Sequence, residues 1–135
     1  MRLLGMQPLL LPRFCKDLQL QINKAEDVLM ELIKFLYLHK LQSASCTPSK
    51  IVDEAWHVFL LFTRTYQEFC KTELGKFVHH EPGSDDVDST TRFKDQYENT
   101  IEMLKQHFGE ADKTWWTHGL CIEAECGSCE SIQSD

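Results

Sequence analysis

The sequence has no excess of positive charge. Fourteen basic residues stand against 21 acidic ones, a formal net charge of −7. A phosphate backbone is best met by a positive field, so this balance disfavours nucleic acid as the main ligand. The lysines and arginines are scattered and form no sizeable patch. Long apolar runs are also missing. None reaches the roughly 20 residues that a membrane-crossing helix needs, so no membrane association is expected. The start, MRLLGMQPLLL, is apolar but lacks the long hydrophobic stretch and small-residue cleavage site of a secretory signal. There is no phosphate-cradling glycine loop, no G-x-S-x-G, no H-E-x-x-H and no internal repeat. The acidic run Asp85, Asp86, Asp88 lacks the ligand spacing and closing glutamate of an EF-hand, and reads as a solvated loop.

What is present is helical periodicity. The length of 135 residues suits one domain, and 42% hydrophobic with 26% charged residues is the balance of a soluble globular chain. Residues 1–13, with Gly5, Pro8 and Pro12, read as an irregular arm. A helix is expected from about Phe14 to Leu41, with a break near Asn23. Ile22, Ala25, Leu29, Leu32, Ile33 and Leu36 recur at helical spacing, and Asp27, Glu31 and Lys34 lie opposite. After the polar link QSASCT, Thr47 can cap free amides and Pro48 suits a first helical position. Nothing then breaks a helix from Ile51 to Leu74, and Gly75 is a natural stop. From Val58 to Phe62 this helix is apolar all round, which usually means burial on more than one side. A last helix is expected from Ser89 to Gly109, with Phe93, Tyr97, Ile101, Leu104 and Phe108 inward and Lys94, Glu98, Glu102 and Lys105 outward. Strands are not expected to dominate. The expected fold is an all-α, single-domain bundle of about three to five helices: arm 1–13, helical domain 14–110 and a cysteine-containing tail 111–135 anchored by Trp115 and Trp116.

Chemistry concentrates in Ile51–Pro82. Asp53 and His57 are four apart and share one helix face, with Arg64 near the same stripe. A carboxylate there can orient the imidazole, or both can bind a metal. The bland alternative is a structural Asp–His hydrogen bond. His79-His80-Glu81-Pro82 follows, and Pro82 holds Glu81 extended, so the loop can return an imidazole to the helix. Asp53, His57 and His80 would then offer zinc or another divalent ion three ligands. The alternative is one exposed histidine and one that caps a carbonyl.

A second set lies in the tail. His118, Cys121, Cys126 and Cys129 are spaced H-x2-C-x4-C-x2-C, four donors that can close a tetrahedral zinc site. The same cysteines can form a redox pair or a disulfide, or stay inert. Of the six cysteines, Cys70 is expected to pack as a small apolar group. A helical chain of this length needs no disulfide staples, so reduced thiols in a cytoplasm are expected.

Several of these residues carry a resemblance. Pro48, Val52-Asp53, Trp56-His57, Thr63, Tyr66, Phe69-Cys70, Gly75 and His79-His80-x-Pro82 look like the signature of the glycine-rich domain-containing protein-like family. The likeness continues through Tyr97-Glu98-Asn99-Thr100, Phe108-Gly109-Glu110 and a tryptophan at Trp115 or Trp116, from about Leu29 to Trp116. It implies a small helical domain with a role in binding rather than catalysis. The long glycine-rich tail of its larger members is not in this sequence.

Three functional classes follow. The first is a non-enzymatic binding or accessory domain with a polar, metal-binding core site at Asp53, His57 and His80, shielded by Trp56. The second is a metal-dependent hydrolase at the same residues, with Glu54, Glu81 or His79 as proton acceptor. The third is a protein-interaction module, another protein being the expected partner, beside a thiol-redox or zinc-clip role for the tail. An enzyme site needs to be open, whereas a structural metal site is closed.

Overall fold

The computed structural model describes residues 6–41, 46–80 and 87–117, with backbone alone for 87–93. The regular structure among the described residues is all helical, with no strand. Five α-helices, α1 (Gln7–Leu18), α2 (Ile22–Leu41), α3 (Lys50–Leu61), α4 (Thr63–Phe69) and α5 (Val87–Phe108), are joined by one π-helical turn, Cys70–Leu74, that continues α4. None of them is long and apolar enough to cross a membrane. The chain forms two compact units: Met1–Ser43 with Ile51–Val78, and Ala44–Lys50 with His79–Asp135.

In the first unit the expected irregular arm is instead helical from Gln7. Pro8 falls in the first turn, where amides lack partners anyway, and Leu10, Leu11 and Phe14 are buried. Pro12 is inside the helix but on its exposed side, so it removes one amide donor without disturbing the buried stripe. The helix ends at Gln19, which adopts a left-handed φ of 56° while its amide donates to the Cys15 carbonyl.

In α2 the core face is Ala25, Val28, Leu29, Leu32, Ile33, Phe35, Leu36 and Leu38, all fully buried. Two details differ from the periodicity. Ile22 is exposed at the first residue of the helix. Glu31 is buried and pairs with Lys34 at 3.3 Å, one turn along the same helix.

The expected unbroken helix after Thr47 is interrupted at Phe62, whose φ of −94° and ψ of 66° are not helical. The last turn of α3 tightens as the Phe62 amide reaches back to the Phe59 carbonyl at 3.0 Å, and α4 restarts with Tyr66 N–H on the Phe62 carbonyl at 2.8 Å. The apolar girdle therefore divides. Val58 and Phe59 are buried, while Leu61 is 64% exposed. Arg13 lies 5.9 Å from the Phe62 ring centre. The break also lets the rings of Phe59 and Tyr66 meet edge-on at 4.9 Å. Gly75 ends the π turn with φ of 76°, the left-handed stop its position suggested. Tyr37 and Lys40 of α2 hold that turn: Tyr37 donates to the Glu73 carboxylate at 3.0 Å and Lys40 to the Glu73 carbonyl at 3.0 Å.

The second unit is built on α5. Tyr97, Ile101, Met103 and Leu104 are buried, and Lys94, Glu98, Glu102 and Lys105 are exposed, as the stripe implied. Phe108 is partly exposed at the helix end, and Gly109 turns the chain with φ of 90°. Asp112 then organises a turn: its carboxylate accepts the Thr114 amide and its carbonyl accepts those of Trp115 and Trp116. Both tryptophans are buried, Trp116 completely, with its ring 6.2 Å from that of Tyr97. The Tyr97 hydroxyl donates to the Thr117 carbonyl. At the other end, Thr47 does not cap α3, which starts at Lys50. Its amide donates to the Thr100 hydroxyl at 2.9 Å and its own hydroxyl to Gln96 at 3.0 Å. The Cys46 thiol hydrogen-bonds Thr100, and burial pushes it up to about 11. It is therefore a packed thiol rather than a reactive one.

Two outcomes follow. Trp116→Ala removes a fully buried indole and is expected to destabilise by about 3–5 kcal/mol. Urea unfolding curves read it, and a loss under about 1 kcal/mol would show that the ring is not part of the core. The second concerns His39, whose ring packs edge-on against Phe35 at 5.1 Å. Burial pushes it below its ordinary value of 6.5; hydrogen bonds to the Phe35 and Leu36 backbone oppose this, and Lys76 nearby adds to it. A histidine depressed in the folded state takes up its proton more readily when unfolded. Its contribution is complete above pH 6.5 and declines as pH falls below that. Stability measured from pH 8 to 5 should thus fall more steeply in the natural chain than in His39→Gln. Parallel curves would contradict the assignment.

Candidate metal centre

Helix α3 presents two kinds of side chain at adjacent positions. Consecutive helical residues point about 100° apart, so Trp56 can enter the core while His57 leaves it. Trp56 is buried against Phe35, their rings 5.3 Å apart and tilted by 68°. His57 is on the outside, its side chain 57% exposed against 33% for Asp53. The expected core placement of this pair is thereby corrected. The stripe that carries Asp53 and His57 is the solvent side of α3, and the buried stripe is Val52, Ala55, Trp56 and Phe59. Trp56 does not shield the imidazole; it turns its indole towards Tyr66.

The Asp53 carboxylate and His57 Nε2 are 3.7 Å apart. That is an ion-pair separation and too long for a hydrogen bond. One turn of a rigid helix sets this spacing, because side chains at i and i+4 stack on one face.

His80 stands outside any helix. After Gly75 the chain runs without helix through Phe77 and Val78. Phe77 packs edge-on against Tyr66 at 5.4 Å. Val78 is buried, and its carbonyl accepts the Tyr66 hydroxyl at 2.5 Å; that hydroxyl accepts the Trp56 indole N–H at 3.1 Å. The Val78 backbone also hydrogen-bonds the Cys70 thiol. Val78 is thus tied into the first unit, and His80 follows it by two residues. His80 is half-buried and His79 exposed.

Chemically, the expected ligands are one carboxylate and two imidazoles. Bond lengths near 2.1 Å put tetrahedral zinc ligands about 3.4 Å apart. The Asp53–His57 separation of 3.7 Å is close to that. Three protein ligands leave at least one position for water. Of the other expected participants, Glu54 is half-buried on α3, Arg64 is exposed on α4, and Glu81 lies outside the described residues. So do His118, Cys121, Cys126 and Cys129 of the tail. Cys15, Cys46 and Cys70 are not in disulfides. Burial pushes the Cys70 and Tyr66 groups up, so both stay protonated.

Sequence reasoning missed the part played by Tyr66 and Val78. The usable signal was a tryptophan and a tyrosine, two aromatic rings with polar atoms, on the apolar faces of one stretch. A buried indole N–H and phenol O–H both need partners. The break at Phe62 hid which partners they take.

A family model described as UCP032817-like matches residues 8–111. No curated protein and no solved structure matches the chain. The family match overturns the resemblance to glycine-rich domain-containing proteins, which rested on D-x-x-W-H and H-H-x-P. Two motifs of a few residues each are weak beside a pattern that runs from α1 past the end of α5. The chain therefore belongs to the UCP032817-like family.

Proposed function

We propose that this chain is a small helical domain that binds a divalent transition-metal ion, zinc being the expected one, on Asp53, His57 and His80. The observation that carries the reading is the Asp53 carboxylate held 3.7 Å from His57 Nε2 on one accessible helix face, with His80 as the third ligand that the sequence offers. The donor set suits the role: imidazole and carboxylate together accept zinc and other first-row ions. Two ligands stand on a helix, which holds geometry better than a loop. The net charge of −7 favours cations near the surface. Thiols at Cys15, Cys46 and Cys70 that are not in disulfides fit a reducing, cytoplasmic setting.

A second reading is a metal-dependent hydrolase at the same residues. The exposure of His57 favours it, because solvent and a small substrate could reach the ion. A bound ion would supply an activated water. Glu54 and His79 are the described groups near enough in sequence to take its proton. Screening hydrolysis of simple ester, amide and phosphate substrates with and without added zinc separates the two readings.

Metal content of untagged protein, purified without chelators, tests the site itself. About one ion per chain is expected, absent from His57→Ala/His80→Ala and retained by Cys126→Ser/Cys129→Ser. Retention in the histidine variant, with loss in the cysteine variant, would place the ion in the tail. In chelator, His57→Ala should lie within about 0.5 kcal/mol of the natural chain, as surface substitutions do. At an ion concentration about 100-fold above Kd, only the natural chain should gain about 2.7 kcal/mol.

A further inference from the structure

We propose that the cleft formed by the π turn and the chain that returns after it binds a small organic anion, one acidic group carried on a flat apolar ring. The cleft shares no residue with the proposed metal centre, and neither site depends on the other. It lies within the first unit and has a volume of about 310 Å³. Its lining is Gln67, Cys70, Lys71, Gly75, Lys76 and Phe77.

Local backbone geometry makes this cleft. Up to Phe69 the chain is α-helical. The π turn Cys70–Leu74 then widens it, and Gly75 turns it with φ of 76°. Lys76 and Phe77 therefore come back beside Gln67 and Lys71 instead of continuing the helix. Single π turns recur at functional sites.

The lining has the chemistry of an anion site. Both of its charged groups are cations, Lys71 and Lys76, in a chain whose net charge is −7. The one carboxylate between Cys70 and Phe77 is that of Glu73, and it is taken up by α2, where it accepts the Tyr37 hydroxyl at 3.0 Å. Gln67 brings an amide that can donate to a carboxylate or phosphate oxygen. Cys70 is the buried floor, and burial keeps its thiol protonated, so it adds no negative charge. Phe77 supplies an apolar wall. It is 45% exposed, and its ring stands edge-on to Tyr66 at 5.4 Å, which holds its orientation. A second flat ring laid against it would leave water and gain aromatic contact. The volume is at the small end of the roughly 300–1,000 Å³ of small-molecule sites, which suits a single ring with one acidic group. A lysine ammonium is a point charge that meets carboxylate and phosphate alike.

The test is a titration of benzoate, and separately of phenyl phosphate, into the full isotope-labelled chain at low salt, followed by NMR amide shifts. At least one of the two should bind saturably and one to one, with the largest shifts among residues 67–77. Benzyl alcohol has the ring without the charge, and inorganic phosphate the charge without the ring; each should bind at least about 5-fold more weakly. Lys71→Gln and Lys76→Gln should each weaken binding about 2–5-fold, and together about 10-fold. Both lysines are exposed, so these variants should melt as the natural chain does. Phe77→Leu keeps apolar bulk but offers no flat face, and should weaken binding about 2–10-fold. Lys105→Gln, at an exposed lysine of the second unit, should change nothing. Tighter binding of benzoate assigns a carboxylate ligand and tighter binding of phenyl phosphate a phosphate ester; either supports the site. Inorganic phosphate binding as tightly as phenyl phosphate overturns the part given to Phe77, whether or not Phe77→Leu folds. No saturable response to either anion, equal affinity for benzyl alcohol, or full affinity in the double lysine variant overturns the site.

Discussion

Aromatic rings with polar atoms make demands that plain hydrocarbon does not. Burying Trp56 and Tyr66 removes apolar surface from water, but it also takes an N–H and an O–H out of reach of solvent. Here the two groups answer one another, and the remaining proton is met by a backbone carbonyl at Val78. The chain must therefore return to the aromatic core after Gly75 rather than wander into solvent. The break at Phe62, the π turn and the left-handed Gly75 are the means by which a continuous stretch folds back on itself.

The second unit solves a similar problem in a similar way. Tyr97 is buried on α5 and sends its hydroxyl to the Thr117 carbonyl, beyond the turn organised by Asp112. Thr100 is fully buried, donates to the Gln96 carbonyl one turn back, and accepts the Thr47 amide. In both units a helix uses a buried hydroxyl to tie down a stretch that makes no regular structure of its own. Each tie is worth about 1 kcal/mol net, and more if only one partner is removed.

The parts of the fold legible in the sequence were those governed by periodicity. The buried stripe of α2, the wet and dry faces of α5, and the stops at Gly75 and Gly109 follow from side-chain spacing and from glycine's tolerance of positive φ. Less legible were features where tertiary context outweighs pattern. Pro12 was read as breaking structure, yet a helix tolerates it on an exposed side next to Leu10, Leu11 and Phe14. Phe62 carries no breaker chemistry, so nothing in the residue itself signals its departure from helix. The pairing of Asp53 with His57 was legible from i,i+4 spacing. Their exposure was not, because an apolar girdle from Val58 to Phe62 suggested burial all round, whereas the girdle is split and Leu61 faces solvent.

The π turn at Cys70–Leu74 has a consequence for descent. A π turn holds one more residue per turn than an α-helix and is a common mark of a single inserted residue. Removing one residue there would relax the segment into an ordinary helix, a change that costs the backbone little. It would also rotate the chain that follows by about 100°, carrying Val78 away from Tyr66. Among descendants of a common ancestor, gaps in this segment should therefore be scarce wherever Trp56 and Tyr66 are retained, and commoner where they have been lost.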